Sequence, residues 1–228
     1  MNRRYWYVLL TYFIAYFSTL IGAPIVMGIL RAVTDLPNAQ LMLYASSYWS
    51  VFSNLIALVI VWLLLRKQPR STKIEQGQPA SASVSVIYAV LGFVALLIGQ
   101  AIAISIMSMF GVGGASQNTE MLGEMARAVP IVVVFTSVLA PILEEIVFRK
   151  IIFGELASRL NIHVAAVISS LFFGLMHMEL SYLLVYVVIG LMLCYMYTKT
   201  KRIAVPIAAH MLMNIIAMII QFSMGGNA

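Results

Sequence analysis

The sequence predicts an all-α, polytopic transmembrane helical bundle of about seven spans with its N-terminus in the cytoplasm. Three observations predict it. The 228 residues are 62% hydrophobic and only 10% charged, more apolar than a soluble globular domain needs to be. Mean hydropathy is +0.99. The apolar residues also gather into runs of roughly 20 residues or more, the length that crosses a bilayer as a helix.

The elements follow in order. Residues 5–30 form the first run, behind the basic start "MNRRYWYVLL". It is too long for a signal-peptide core and lacks a clear small-x-small cleavage site, so it is expected to be a retained span. The second run covers 41–65. The stretch "RKQPRSTKIEQGQPASAS" at 66–83, rich in Pro, Ser, Gln and Lys, reads as an exposed loop. The third run covers 84–112, and "GGASQNTEMLGEMARA" after it reads as a second polar loop. A fourth run starts near Pro130, a short fifth covers about 164–179, a sixth 180–198 and a seventh 203–222. Residues 1–83 then make an N-terminal region of two helices and a cytoplasmic loop, and 84–228 the region that bears the motifs.

Charge placement orients the chain. Of the 14 Lys and Arg residues, all but Arg31 and Arg127 fall on segments that share a side with the N-terminus, and such a bias marks the cytoplasmic face. An odd number of spans puts the C-terminus outside. The net charge of +6 is spread in short clusters between apolar runs, which argues for a topology signal and against a nucleic-acid surface. The single cysteine, Cys194, excludes an internal disulfide and a cysteine-rich metal site; in its apolar stretch it reads as a packed small residue.

The chemistry-bearing residues sit where lipid would make them costly. "PILEEIVFRK", residues 141–150, carries Glu144 and Glu145 at the end of a run with no other charge between Val129 and Phe148. Ionisable groups inside a membrane mark function by default. Glu145 and Arg149 are spaced i, i+4 and share a helix face, so they are expected to pair. Glu144 lies about 100° round an α-helix from Glu145 and is left for other chemistry, with Pro141 able to open space beside it. Of three histidines, His163 falls at a loop and reads as a surface residue. His177 lies in "LFFGLMHM", four residues after Phe173, and His210 in "IAAHMLMN", four residues before Asn214. A helix from Val129 that turns near residue 160 and returns antiparallel sets Glu144 and His177 at nearly one depth. His210 lies ~12 Å past Arg202 along a helix. Glu144, His177, His210 and Asn214 are thus expected to converge one or two turns below the cytoplasmic surface. They include candidates for a general base, an electrophile and an oxyanion donor. The chain offers no H-E-x-x-H and only one aspartate, Asp35, which excludes the usual zinc arrangement and a two-aspartate protease.

In order and spacing, "EEIVFR", "FGLMH" and "HMLMN" resemble the Glu-Glu-x-x-x-Arg, Phe-x-x-x-His and His-x-x-x-Asn motifs of the CPBP intramembrane proteases. This is the CAAX-protease and bacteriocin-processing (Abi) group, which includes the type 2 CAAX prenyl endopeptidases. The resemblance covers residues 125–220 and implies an all-helical membrane fold with a cavity open to the cytoplasm. It implies Glu144 as the base that activates water with His177 assisting, His210 and Asn214 as the pair that binds the oxyanion, and Glu145 with Arg149 as the residues that hold the helix and tune the site. The substrate class it implies is a hydrophobic, lipidated or membrane-bound peptide or protein near the inner leaflet of a bacterial-type plasma membrane. Glu144, His177 and His210 also make a legitimate catalytic Zn²⁺ set with an open position for water. A metal site and a metal-free glutamate mechanism both fit the sequence. So do two other classes of function: a non-catalytic membrane scaffold of the same fold, and a proton-coupled transporter in which the same residues form a relay.

Overall fold

The computed structural model describes residues 2–67 and 72–225. Arg70, one of the inside charges, and the end of the expected outside tail lie outside the described residues. Every regular element among the described residues is helical. Six helices are long and apolar enough to cross a membrane. They are α1 (Arg3–Val33), α2 (Asn38–Leu65), α3 (Ala82–Met109), α5 (Ile131–Ala157), α7 (Leu183–Thr200) and α8 (Ala204–Gly225). The short fifth run of the sequence becomes α6, Ile162–Leu175, a helix of 14 residues. At 1.5 Å per residue it rises ~21 Å, against a hydrocarbon core of about 30 Å.

One expected loop is a helix instead. Residues Gln117–Ala128 form α4, where the polar composition of "GGASQNTEMLGEMARA" suggested irregular chain. Ser116 accepts the Thr119 N–H at 3.2 Å and Glu179 accepts the Gln117 N–H at 2.8 Å, so two of the unpaired donors at the helix start are satisfied. Leu122, Met125, Ala126 and Val129 recur at helical spacing and pack with Val51, Val132 and Met218. That apolar stripe was present in the sequence.

The chain packs as two compact units. One draws on Met1–Gln68, Glu120–Leu143 and Met218–Ala228, the other on Pro69–Thr119 and Glu144–Ala217. In the first unit α1 and α2 pair, with Gly22 lying under the Trp49 ring, where a Cβ would stand 1.8 Å from the indole. Trp49, half-buried, donates from Nε1 to Ser18 Oγ at 2.9 Å, a partner that an indole N–H needs away from water.

The second unit holds every motif residue. There α6 lies against α7 through small residues. A Cβ on Gly190 would meet the Ser170 Cβ at 2.7 Å, and one on Gly174 would meet Leu183 at 2.7 Å, the close approach that binds helices where no hydrophobic effect drives them together. Ile74, Phe153, Ala157, Ala165, Cys194 and Tyr197 form its core at one end. The loops that the sequence assigns to one face meet each other. Ala80 N–H donates to Thr200 O at 3.0 Å, Arg202 Nε donates to Ala80 O at 2.6 Å, and Glu75 pairs with Lys150. On the opposite set, Tyr182 donates to Gly114 O, and Glu179 accepts from Ser116 and Gln117. One end of α6 shares a cluster with Ile74 of the first set through Ile162 and Ala165, and the other leads through His177 to Glu179 of the second.

Candidate active site

The residues around the site start from α5. Its hydrogen bonding is not α-helical throughout: Phe135–Leu139 and Glu145–Phe153 are π-helical. Pro141 has no N–H to give to the carbonyl four residues back, and the first π stretch lies just ahead of it. The second stretch begins at Glu145. Bonds of the i→i+5 kind widen the turn, so successive side chains diverge by less than the 100° of an α-helix. Both glutamates are thereby turned toward one ring.

That ring is His210, on the second turn of α8 and 2% exposed. Its Nδ1 lies 3.0 Å from Glu145 Oε1, and its Nε2 lies 3.8 Å from Glu144 Oε2. A carboxylate only accepts, so the proton of the short contact sits on Nδ1 and Nε2 faces Glu144. Glu145 is fully buried, and Arg149 Nη1 lies 3.2 Å from the same Oε1. The Arg149 guanidinium, also fully buried, stands 4.1 Å over the Phe173 ring. A charge pair and a cation–π contact thus hold an arginine that water does not reach. The expected Glu145–Arg149 pair is present, and His210 joins it.

Glu144 differs from its neighbour. Its side chain is 19% exposed against none for Glu145, so of the two carboxylates it is the one with access to water. It faces His210 Nε2. His177 lies in the turn after α6, within the electrostatic reach of Glu144, His210 and Arg149. Its Nδ1 donates to Phe173 O at 2.9 Å. A carbonyl only accepts, so Nδ1 carries the proton and Nε2 the lone pair. Phe173 meets both imidazoles edge-on, with centroids 4.7 Å from His177 and 5.9 Å from His210. Asn214 follows His210 by one turn of α8 and is half-buried.

Among the described residues, no three His, Cys, Asp or Glu side chains are grouped so as to hold a metal ion. Glu144 faces His210, and His177 lies within electrostatic reach of both.

Two residues of this region were not singled out in the sequence. Glu179 is buried, and it accepts from Ser116 Oγ at 2.7 Å, Gln117 N at 2.8 Å and Tyr186 Oη at 2.8 Å. Tyr186 stacks on His177 with centroids 3.9 Å apart. The signal was there. Glu179 is the only acidic residue after Glu155 and interrupts an apolar stretch, which marks it as Glu144 was marked. Tyr186 follows it by two helical turns, on the same face.

Comparisons with known proteins identify the family. Residues 126–216 match the family model described as type II CAAX prenyl endopeptidase Rce1-like. The chain is 42% identical over 222 residues to YdiL of Bacillus subtilis (strain 168), named as a membrane peptidase, covering 97% of this chain and 90% of that one. It is 37% identical over 174 residues to MroQ of Staphylococcus aureus (strain USA300), named as a membrane-embedded CAAX protease, covering 73% and 70% respectively. No solved structure matches it at a level that carries an argument. With near-complete alignment to one such relative, and with all three motifs gathered on one buried cluster, this multi-pass membrane protein belongs to the CPBP family of membrane-embedded peptidases.

Proposed function

We propose that this chain is an intramembrane endopeptidase that hydrolyses hydrophobic, lipidated or membrane-bound peptides by water activated on Glu144, without a metal. One observation carries the reading. Of two adjacent carboxylates, Glu145 is neutralised by Arg149 and His210, while Glu144 keeps partial access to solvent beside His210 Nε2.

In this reading Glu144 takes a proton from water as the oxygen attacks the scissile carbonyl, with His177 Nε2, a free acceptor, helping to orient that water. The carbonyl oxygen becomes an oxyanion. Asn214 lies one turn from His210 on the same face of α8 and supplies an amide N–H donor, worth about 3 kcal/mol in comparable sites; His210, whose Nδ1–H is held by Glu145, adds a second donor at Nε2 only in its doubly protonated form. The proton held by Glu144 passes to the leaving amine as the C–N bond breaks. Glu145 and Arg149 keep His210 oriented and never touch substrate. Substrate enters from the cytoplasmic face. The inside loop supports this, since its Glu75 pairs with Lys150, six residues or ~9 Å along the helix from Glu144.

The test is a Glu144→Ala variant in a strain that otherwise lacks the gene, with membrane and secreted peptides compared against the parent. A peptidase loses processing of specific peptides while the variant protein still accumulates. Unchanged peptides with a retained phenotype favour a scaffold and overturn the proposal, as does a loss confined to ion-dependent flux. Chelator treatment of the purified protein is expected to leave hydrolysis unchanged. Stoichiometric zinc whose removal abolishes activity would end the metal-free mechanism.

A further inference from the structure

The His177 side chain is held on three sides, and one of the holding residues, Tyr186, belongs to a network that neither the motifs nor the mechanism uses. Phe173 supplies a carbonyl acceptor to Nδ1 and a ring edge. Tyr186 supplies the third side, its ring stacked on the imidazole at 3.9 Å and tilted by only 21°. Tyr186 is fixed in turn. Its hydroxyl donates to Glu179 Oε2 at 2.8 Å and lies 3.3 Å from Ser116 Oγ.

Glu179 sits two residues beyond His177, with Met178 between them at φ 55°. This left-handed residue reverses the chain, so His177 and Glu179 leave the turn separately, and Tyr186 reconnects them. The carboxylate is 8% exposed and is met by three donors: Ser116 Oγ, the Gln117 amide and Tyr186 Oη. A buried carboxylate satisfied on both oxygens is stiff as well as stable. It ties the loop before α4 to the turn that carries His177.

The geometry points to Tyr186 and Glu179 as positioning residues for His177: Glu179 locks the Tyr186 hydroxyl, and the locked ring holds the imidazole against Phe173 with Nδ1 on its carbonyl. The inference rests on the reading of His177 as part of the hydrolytic machinery, and its test therefore carries a readout that needs no substrate. Side chains that orient a functional histidine from behind cost ~10-fold or more in activity when removed.

Three variants separate the parts. Tyr186→Leu removes the stacked ring, Tyr186→Phe removes only the hydroxyl, and Glu179→Gln keeps the shape but weakens the acceptor. Each is made in a His163→Asn background, so that His177 and His210 are the only imidazoles left. The first readout is the ¹⁵N spectrum of the imidazoles in detergent micelles. The parent should show His177 as a single Nδ1–H tautomer, and the variants a mixture. The second readout is hydrolysis of a quenched peptide that spans a site whose processing the Glu144→Ala strain loses. There kcat should fall ~10-fold or more in Tyr186→Leu and several-fold in Tyr186→Phe, with KM within about twofold.

An unchanged His177 spectrum in Tyr186→Phe and Glu179→Gln overturns the proposal, whatever Tyr186→Leu does to folding. A mixed spectrum in a protein that never cleaves the peptide, even as the parent, upholds the positioning and counts against the peptidase reading instead. A fall in kcat with an unchanged tautomer also overturns it, because the loss would then come through general disorder of the site.

Discussion

Arg149 is a full cation with no water, and its partners set what its loss would do. Glu145 lies 3.2 Å away and the Phe173 ring 4.1 Å away. Arg149→Leu leaves Glu145 facing His210 with its main counter-charge gone. Breaking a buried pair on one side costs about 3–5 kcal/mol. We expect a strong fall in melting temperature in detergent, partly restored by adding Glu145→Gln; an Arg149→Leu protein as stable as the parent would refute the pairing. Met178 poses a different question at the same scale. It is 76% exposed, so nothing packs on its side chain, yet its φ of 55° is the left-handed conformation that costs a non-glycine residue roughly 1–2 kcal/mol. Met178→Gly is expected to hold or raise stability. Met178→Val, β-branched at the same φ, is expected to lower it and to disturb His177 next door. Equal melting temperatures for the two variants would contradict that geometry. The sequence displayed the two glutamates, the arginine and both histidines, because charge in an apolar run is conspicuous. It did not display which ring Glu144 meets.

At the scale of elements, the contact of α6 with α7 depends on residues too small to notice. Gly190 faces Ser170, where an added Cβ would lie 2.7 Å from the Ser170 Cβ and 3.0 Å from its Cα. A flexible side chain could swing aside, but backbone cannot. Gly190→Val should cost roughly 1–3 kcal/mol by overpacking and reduce activity by moving His177 away from Glu144. Normal stability and turnover in that variant would show that the helices are not closely seated. The short helical turn Lys73–Glu75 makes a second expectation. Burial, the largest single influence on Glu75, pushes its carboxyl up; the hydrogen bond and charge of Lys150, with Tyr197 and the Thr72 backbone, together outweigh it and hold the group below the ordinary carboxylate value. A depressed value in the folded state means stability that is full above the ordinary carboxylate range and is lost as pH falls through the depressed one. Glu75→Gln should therefore melt lower than the parent near neutrality, and the difference should close in acid. A difference that persists undiminished at low pH would remove the ion pair from the account. Helix α4 was readable from Ser116 and the stripe Leu122, Met125, Ala126 and Val129, but its polar composition hid it. Its cap at Glu179 comes from 62 residues away, and no local pattern reports that.

For the whole molecule, the spans, their order and the pairing of loops were legible because lipid imposes a simple rule: a backbone in hydrocarbon must bond to itself, so helices of bilayer length announce themselves. The loops that charge assigned to one face do meet, Ala80 with Thr200 and Glu75 with Lys150. If the cytoplasmic face is the one carrying these loops, a cysteine placed at Lys73 is expected to react with impermeant thiol reagents only in inverted vesicles. Labelling from the outside of intact cells would reverse the orientation. What the sequence by itself determined is therefore the all-helical membrane class, the run of spans and the set of residues that lipid would not tolerate without a purpose. What only the tertiary structure decided is how those residues face one another. The π-helical widening after Glu144 turns both glutamates to His210, and Glu179 and Tyr186 fasten His177 from behind. The physical reason is one of range. Hydropathy and charge act residue by residue and can be read along a chain, whereas side-chain direction depends on hydrogen-bond register within a helix and on partners many tens of residues distant.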